Sequence, residues 1–303
     1  MASESEIVST IASVFGSPNP DVIIGIGDDG AVTKPILKNL VLSTDMAVEG
    51  VHFKRSWSSF HEIGAKITAA NLADIFAMGG HPKYLLVSVG IPKELSISDL
   101  RSLAQGIKSE ADLVSCSVVG GDISSASELV ISISAIGEVA KPLTRSGAKV
   151  GDKVFISNLT GLSAAGLSQL SSGILDSKFI KAHKKPKVLY EVAANFEGAS
   201  AAIDVSDGLL SECKSLAEAS KVGIQLEADL ISKLPNFEEL SKLALEMKID
   251  IWSWVLSGGE DHAFLGCGPI LPEGTFQIGE VIEGSGVKVN GASEIKEIGW
   301  RHF

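Results

Sequence analysis

The sequence predicts a mixed α/β (α+β) protein of two domains. Short apolar strands alternate with longer helical patterns along the whole chain, which is the mark of sheet packed against helix. A length of 303 residues suits two domains of ordinary size. A polar, turn-rich seam, Lys141-Pro142-Leu143-Thr144-Arg145-Ser146-Gly147, divides two halves of similar style. The expected domains are therefore 1–140 and 141–303.

Each element follows from local pattern. Residues 3–15 alternate polar and apolar groups at helical spacing. Val22–Ile26 is a β-rich run ending in Gly27-Asp28-Asp29-Gly30, and Leu40–Ser43 is a second ending in Thr44-Asp45. A long helix is expected over 61–78, then a strand at Tyr84–Val89 closed by Pro92. Ser98 is the expected N-cap of a helix running to Ala111. Ser117–Val119 and the alternating Leu129–Glu138 read as strands. Beyond the seam, strands are expected at Lys153–Ser157, Ala202–Val205 and Ala263–Gly266. Helices are expected at Gly161–Leu170, Leu209–Ala219 and Phe237–Met247.

Composition removes several classes of function. Hydrophobic residues make up 45% and charged residues 21%, the balance of a packed globular protein. The net charge of −11 disfavours nucleic acid, whose binders carry a basic face. The three cysteines, Cys116, Cys213 and Cys267, form no CxxC pair, which disfavours zinc and suits reduced thiols. No run of 18 apolar residues marks a membrane span, and the N-terminus does not read as a signal peptide. The expected location is the cytoplasm.

Acidic residues recur where apolar strands run out into glycine-containing turns: Asp28 in GIGDDGA, Asp45 in LSTDMAVEG, Asp122 in VVGGDIS, and Asp204 with Asp207 in AIDVSDGLL. Glu260 and Asp261 in LSGGEDHA have the same setting. Aspartate and glycine are common in turns on any account. Five such loops of one style point further, because hard cations take oxygen ligands and bridge carboxylates to phosphates. On the 61–78 helix, Ile67, Ala70, Asn71, Asp74, Ala77 and Met78 share one face. A carboxylate on such a face needs a partner or a metal. Gly25-Ile26-Gly27-Asp28-Asp29-Gly30 matches GxGxxG, but Pro35 and the next strand leave no room for the helix that a dinucleotide site requires. No GxxxxGK[ST] or GxSxG motif occurs. Arg145, at the seam, has the forked geometry that suits phosphate.

The ordered set IGIGDDGAV, LSTDMAVEGVHF, KITAANLADIFAMGGHPKYLLVSVGIP, VVGGDIS, TRSGAKVGD, AIDVSDGLLSE and SGGEDH resembles the thiamine-monophosphate kinase family. That family lies within the aminoimidazole ribonucleotide synthetase-like superfamily, and the resemblance runs from about residue 5 to the C-terminus. It implies an ATP-dependent kinase that phosphorylates thiamine monophosphate with several Mg²⁺ ions. Asp28, Ser43, Thr44, Asp45, Asp74, Asp122, Asp204 and Asp207 then correspond to Mg²⁺ ligands, with Asp45, Asp74, Asp122 and Asp207 central to catalysis. Gly121, Asp122, Arg145 and Ser206 correspond to the ATP site, and His52, Glu260 and Trp300 to contacts with thiamine monophosphate. The indole of Trp300 can stack on a cationic thiazolium.

The resemblance also implies a homodimer whose N-terminal domains share a β-barrel, with a layered C-terminal α/β domain. Three positions depart from the family pattern: Ile123 stands where threonine is usual, His262 where tyrosine is usual, and a tyrosine near Val114 is missing. The alternatives are a sister ATP-dependent enzyme of the superfamily, a nicotinamide-dependent oxidoreductase and a non-catalytic nucleotide or Mg²⁺ binder.

Overall fold

The computed structural model describes residues 4–16 and 19–293. The chain divides into two compact units, Met1–Ile75 with Gly80–Ala140, and Phe76–Gly79 with Lys141–Phe303.

In the first unit, α1 (Glu4–Phe15) is followed by a ribbon of β1 (Val22–Ile24) and β2 (Val32–Thr33). Then come β3 (Asn39–Val48), α2 (Phe60–Ala77), β4 (His81–Ile91), α3 (Ile97–Ala111), β5 (Ser117–Ser125) and β6 (Val130–Val139). The last four strands make one sheet in the order β3-β6-β4-β5, parallel only between β4 and β5. The sequence of β6, VISISAIGEV, alternates, and its burial alternates with it: Ile131, Ile133 and Ala135 are buried. Helices α2 and α3 meet backbone to backbone. A Cβ on Gly64 would lie 2.3 Å from the Leu103 carbonyl oxygen, and one on Gly106 would lie 2.0 Å from that of His61. Only glycine permits that approach.

Three local expectations change. Helix α3 is capped by Ser96, not Ser98: the Ser96 hydroxyl accepts from the Asp99 N–H at 3.2 Å, and Asp99 Oδ2 accepts from the Ser96 N–H at 2.9 Å. This reciprocal pair places the cap two residues earlier than Ser98. Strand β3 does not end at Thr44-Asp45, because all ten of its residues pair with β6. Strand β5 runs through Gly121 and Asp122 to Ser125, because β4 offers it partners that far.

The two faces of this sheet differ. Val41, Ser43, Asp45 and Ala47 lie on one face of β3, while Leu40, Leu42 and Met46 lie on the other and are exposed. Leu86 of β4 is exposed as well.

The second unit contains β7 (Lys153–Ile156), α4 (Leu162–Ser171), α5 (Lys178–Lys184), α6 (Tyr190–Ala193), β8 (Ala201–Val205), α7 (Leu209–Ser220), β9 (Gly223–Glu227) and α8 (Ala228–Ile231). It continues with α9 (Phe237–Met247), α10 (Ile251–Ser257), β10 (Ala263–Gly268), β11 (Phe276–Ile282) and β12 (Gly286–Asn290). Six strands form one sheet in the order β12-β9-β11-β7-β10-β8. Strands β8 and β10 are buried along their whole length, so both sheet faces are covered there. Phe155, Phe196 and Phe264 interlock edge-on, with ring centroids 5.2 and 6.3 Å apart. Because β8 and β10 are antiparallel neighbours, the end of β8 and the start of β10 lie at the same sheet end. Among the described residues, no helix is long and apolar enough to cross a membrane.

Candidate active site

In the first unit Asp45 and Asp74 lie where β3 passes α2. Strand alternation turns Ser43 and Asp45 toward the helix. Ser43 Oγ donates to Asp74 Oδ2 at 2.5 Å. The Asp45 N–H donates to Asn71 Oδ1 at 3.1 Å, and Asn71 Nδ2 donates to the Ile67 carbonyl at 2.9 Å. Asn71 is fully buried and acts as a clamp between helix and strand. Asp45 and Asp74, one step away on the same faces, stay half-buried. Thr44 points to the opposite face, where its hydroxyl donates to the Ile133 carbonyl at 3.1 Å and meets Ser134 Oγ at 3.1 Å. Its side chain is thus turned away from Asp74, leaving its main chain as the part able to join a shared ligand set.

After β3, the chain turns back on itself at His52. The Val48 N–H donates to His52 Nδ1 at 3.1 Å, which puts the proton of a neutral ring on Nε2. Asp28 is exposed at the turn after β1, where Gly27 adopts φ +119°. Asp122 is exposed on β5, in register with Ser88 of β4. Its neighbour Gly121 lies against β4 so closely that a Cβ would meet the Val87 carbonyl oxygen at 1.8 Å. Beside this pair, between α1, α3 and the β4–β5 edge, is an apolar cavity of about 180 Å³. Leu103, Ile107, Val118 and Ile123 line it along with Gly121 and Asp122.

In the second unit two loops are tied together. The Glu260 N–H donates to the Ser206 carbonyl at 2.7 Å, and the His262 N–H to that of Val205 at 3.0 Å. Asp204 is buried and its Oδ2 lies 3.2 Å from His262 Nδ1. The Asp207 N–H donates to Glu212 Oε1 at 3.4 Å. Burial pushes the Glu212 carboxyl up to about 7, aided by the charges of Asp204 and Asp207, while the Asp207 N–H and Arg145 oppose the rise. Arg145 is exposed, and its carbonyl accepts from Ser220 Oγ at 3.1 Å. Asp261 is buried and accepts from the N–H groups of Gly161 at 2.5 Å and Ser163 at 2.9 Å. Burial raises its carboxyl to about 6 despite those two donors. Glu260 and Asp261 follow α10 and precede β10, so this acidic loop enters a strand instead of leaving one.

Comparison with known proteins decides the family. Two family models match: the N-terminal domain of AIR synthase related protein over residues 27–139, and its C-terminal domain over residues 149–252. Thiamine-monophosphate kinase of Mycobacterium tuberculosis is 39% identical over 290 residues, spanning 93% of this chain and 86% of the relative. The chain belongs to the thiamine-monophosphate kinase family. The Aquifex aeolicus thiamine-monophosphate kinase is 35% identical, spanning 92% of both chains. The solved structure of AaThiL complexed with AMPPCP and TMP superposes with a TM-score of 0.81 at 33% identity, covering 99% of this chain and 97% of that one.

The donor set of this kinase-family chain suits Mg²⁺. Its accessible groups in the first unit are hard oxygens: the carboxylates of Asp28, Asp45, Asp74 and Asp122 and the hydroxyl of Ser43. Among the described residues, no three His, Cys, Asp or Glu side chains come together as a group able to hold a metal ion by themselves. Mg²⁺ does not need one, since it keeps waters and substrate phosphates in its shell. Trp300 lies outside the described residues. Two residues beside the second-unit loops, Glu212 and His183, were not singled out from sequence. Glu212 had a signal, sitting in the first turn of α7 just after the aspartates. His183, in the basic run KFIKAHK, had none.

Proposed function

We propose that this chain catalyses ATP-dependent phosphorylation of thiamine monophosphate to thiamine diphosphate. The observation that carries this reading is the Ser43–Asp74 pair beside Asp45, in a chain 39% identical to a thiamine-monophosphate kinase. AaThiL, complexed with AMPPCP and TMP, supports a site for nucleotide and acceptor together.

A terminal phosphate oxygen of thiamine monophosphate attacks the γ-phosphorus of ATP. The new O–P bond forms as the bond to the β,γ-bridging oxygen breaks, and ADP leaves with the electron pair. The acceptor phosphate, with a second pKa of about 6, is already anionic at neutral pH and needs little help from a base. The task of the protein is to bring two polyanions together and hold them in line. Asp28, Ser43, Thr44, Asp45, Asp74, Asp122, Asp204 and Asp207 would hold Mg²⁺, and Thr44 would do so through its main chain. Bound there, Mg²⁺ neutralises phosphate charge. In the first unit the apolar cavity beside Gly121 and Asp122 suits a purine, and in the second Arg145 and Ser206 are the groups the family resemblance gives for nucleotide contact. His52, Glu260 and Trp300 receive the acceptor. Ile123, on the cavity wall, replaces a hydroxyl with an apolar contact to the base.

A homodimer belongs to the same proposal. Leu40, Leu42 and Met46 are 57%, 66% and 59% exposed on one face of the open edge strand β3. An uncovered apolar face beside an unpaired strand edge is what a second copy would bury. Sedimentation at micromolar concentration should show a dimer, and a monomer there would remove this part of the reading. The buried, free thiols of Cys116, Cys213 and Cys267 suit the reducing cytoplasm.

The decisive test is chromatographic. Purified protein with ATP, Mg²⁺ and thiamine monophosphate should yield thiamine diphosphate and equimolar ADP, and EDTA should abolish both. ADP formation that needs a different acceptor would move the chain to a sister reaction of the superfamily.

A further inference from the structure

Glu260 is held in an unusual way. Its backbone has φ +64°, a region that residues with a Cβ rarely enter. The main chain is fixed on both sides: the Glu260 N–H reaches Ser206, the His262 N–H reaches Val205, and the Asp261 carboxylate is buried on the N–H groups of Gly161 and Ser163. The side chain therefore leaves the loop in a set direction, and 34% of it remains exposed.

A buried histidine lies beside that carboxylate. His183 Nδ1 lies 3.7 Å from Glu260 Oε2, with the His183 side chain only 6% exposed. The same nitrogen shares a hydrogen bond of 3.0 Å with Ser163 Oγ. Ser163 sits in the first turn of α4 and His183 in the last turn of α5. The two helices leave no slack between them. A Cβ on Gly166 would lie 2.1 Å from the Phe179 carbonyl oxygen and 2.9 Å from His183 Cβ. The imidazole is thus held by packing and by Ser163, 3.7 Å from the Glu260 carboxylate.

We propose that His183, fixed by Ser163, is the positioning residue that sets the Glu260 carboxylate for recognition of the cationic heterocycle of the acceptor. This inference rests on the kinase reading above. A carboxylate aimed at a cation gains most when its own side chain has already lost its freedom, because less ordering remains to oppose binding. A purely structural His183 would instead act on folding alone and on every ligand equally.

The test separates these cases. His183→Leu should raise both KM and the calorimetric Kd for thiamine monophosphate at least about fivefold with KM for ATP unchanged, the mark of lost acceptor binding. His183→Gln, which keeps a polar group at the imidazole position, should recover most of the affinity. Glu260→Gln should weaken acceptor binding similarly, and the double variant should be no worse than either single one, since the two act as a unit. Ser163→Ala should show a smaller shift of the same kind, and it stands in if His183→Leu does not fold. Unchanged acceptor affinity in both His183→Leu and Ser163→Ala overturns the proposal, as does an equal loss for acceptor and ATP. If Glu260→Gln alone weakens the acceptor, the kinase reading stands and the role of His183 falls. If the wild type binds no thiamine monophosphate, the kinase reading falls and takes this inference with it.

Discussion

Asp28, Asp45, Asp74 and Asp122 of the first unit and Asp204, Glu212 and Asp261 of the second are all carboxylates, but the two sets have opposite surroundings. In the first unit Asp28 and Asp122 are exposed, and Asp45 and Asp74 are half-buried beside a hydroxyl and an amide. In the second, Asp204, Glu212 and Asp261 are each 5% exposed. Their neighbours there are His262 and backbone N–H groups. Burying a carboxylate costs free energy unless donors replace its water. That cost shows as the upward displacement of Glu212 and Asp261, with desolvation the leading cause for both. The contrast assigns different work to one side-chain type. Accessible carboxylates can exchange water for a cation, whereas Glu212 and Asp261, buried on backbone N–H groups, hold loops in place. In the second unit those loops carry Ser206, Asp207 and Glu260.

The sharpest way to break this contrast is to neutralise one group of each kind. Asp74→Asn should lower turnover at saturating Mg²⁺ by at least about tenfold, since losing a charged ligand should cost more than about 1.4 kcal/mol at the transition state. Its melting temperature should hardly move, because the group is half-exposed. Near-normal turnover would remove Asp74 from the cation set.

Asp261→Asn should do the reverse and act first on stability. One of the two N–H groups now facing Asp261 would meet an amide donor, at a cost of about 1–3 kcal/mol. The pH dependence has a definite sign. The carboxyl sits at about 6 in the folded chain against 3.8 as its ordinary value, so the folded state holds its proton longer. That contribution is complete below about 3.8 and is lost as pH rises through about 6. Chemical denaturation from pH 4 to pH 7 should therefore show the wild type losing stability relative to Asp261→Asn. A difference that stays flat over this range would mean that Asp261 is not titrating in the folded protein.

Much of the architecture was legible because it is written in short-range periodicity. The two-residue repeat of β6 and the helical face of Asn71 and Asp74 both appear where the pattern placed them. What was misread depends on partners distant in sequence. Asp45 looked like a strand-end residue because glycine follows at Gly50, yet β6 supplies a partner for every residue through Val48. Strands β9, β11 and β12 escaped notice for the same reason. They are five to seven residues long and contain glycine, and only the rest of the sheet makes them strands. Within the site, family resemblance gave the residues that would meet ligands. His183 and Ser163 were illegible because each is an ordinary helical residue until α4 and α5 pack together.

The finest contrast lies within β3, between adjacent residues. Ser43 faces Asp74 and Thr44 faces away, so equivalent losses of a hydroxyl should be sorted by strand alternation alone. Ser43→Ala removes both the donor that orients Asp74 and a neutral oxygen of the proposed Mg²⁺ set, and should lower turnover by at least about threefold, the scale of one modest hydrogen bond. Thr44→Val should leave turnover within about twofold and cost about 1 kcal/mol of stability, through the lost bond to the Ile133 carbonyl. If the Thr44 main chain is a metal ligand, valine preserves it, so this result holds whether or not that ligand is used. Should Thr44→Val prove the more damaging for catalysis, β3 would have to be slipped by one residue against β6, because a one-residue shift exchanges the two faces completely.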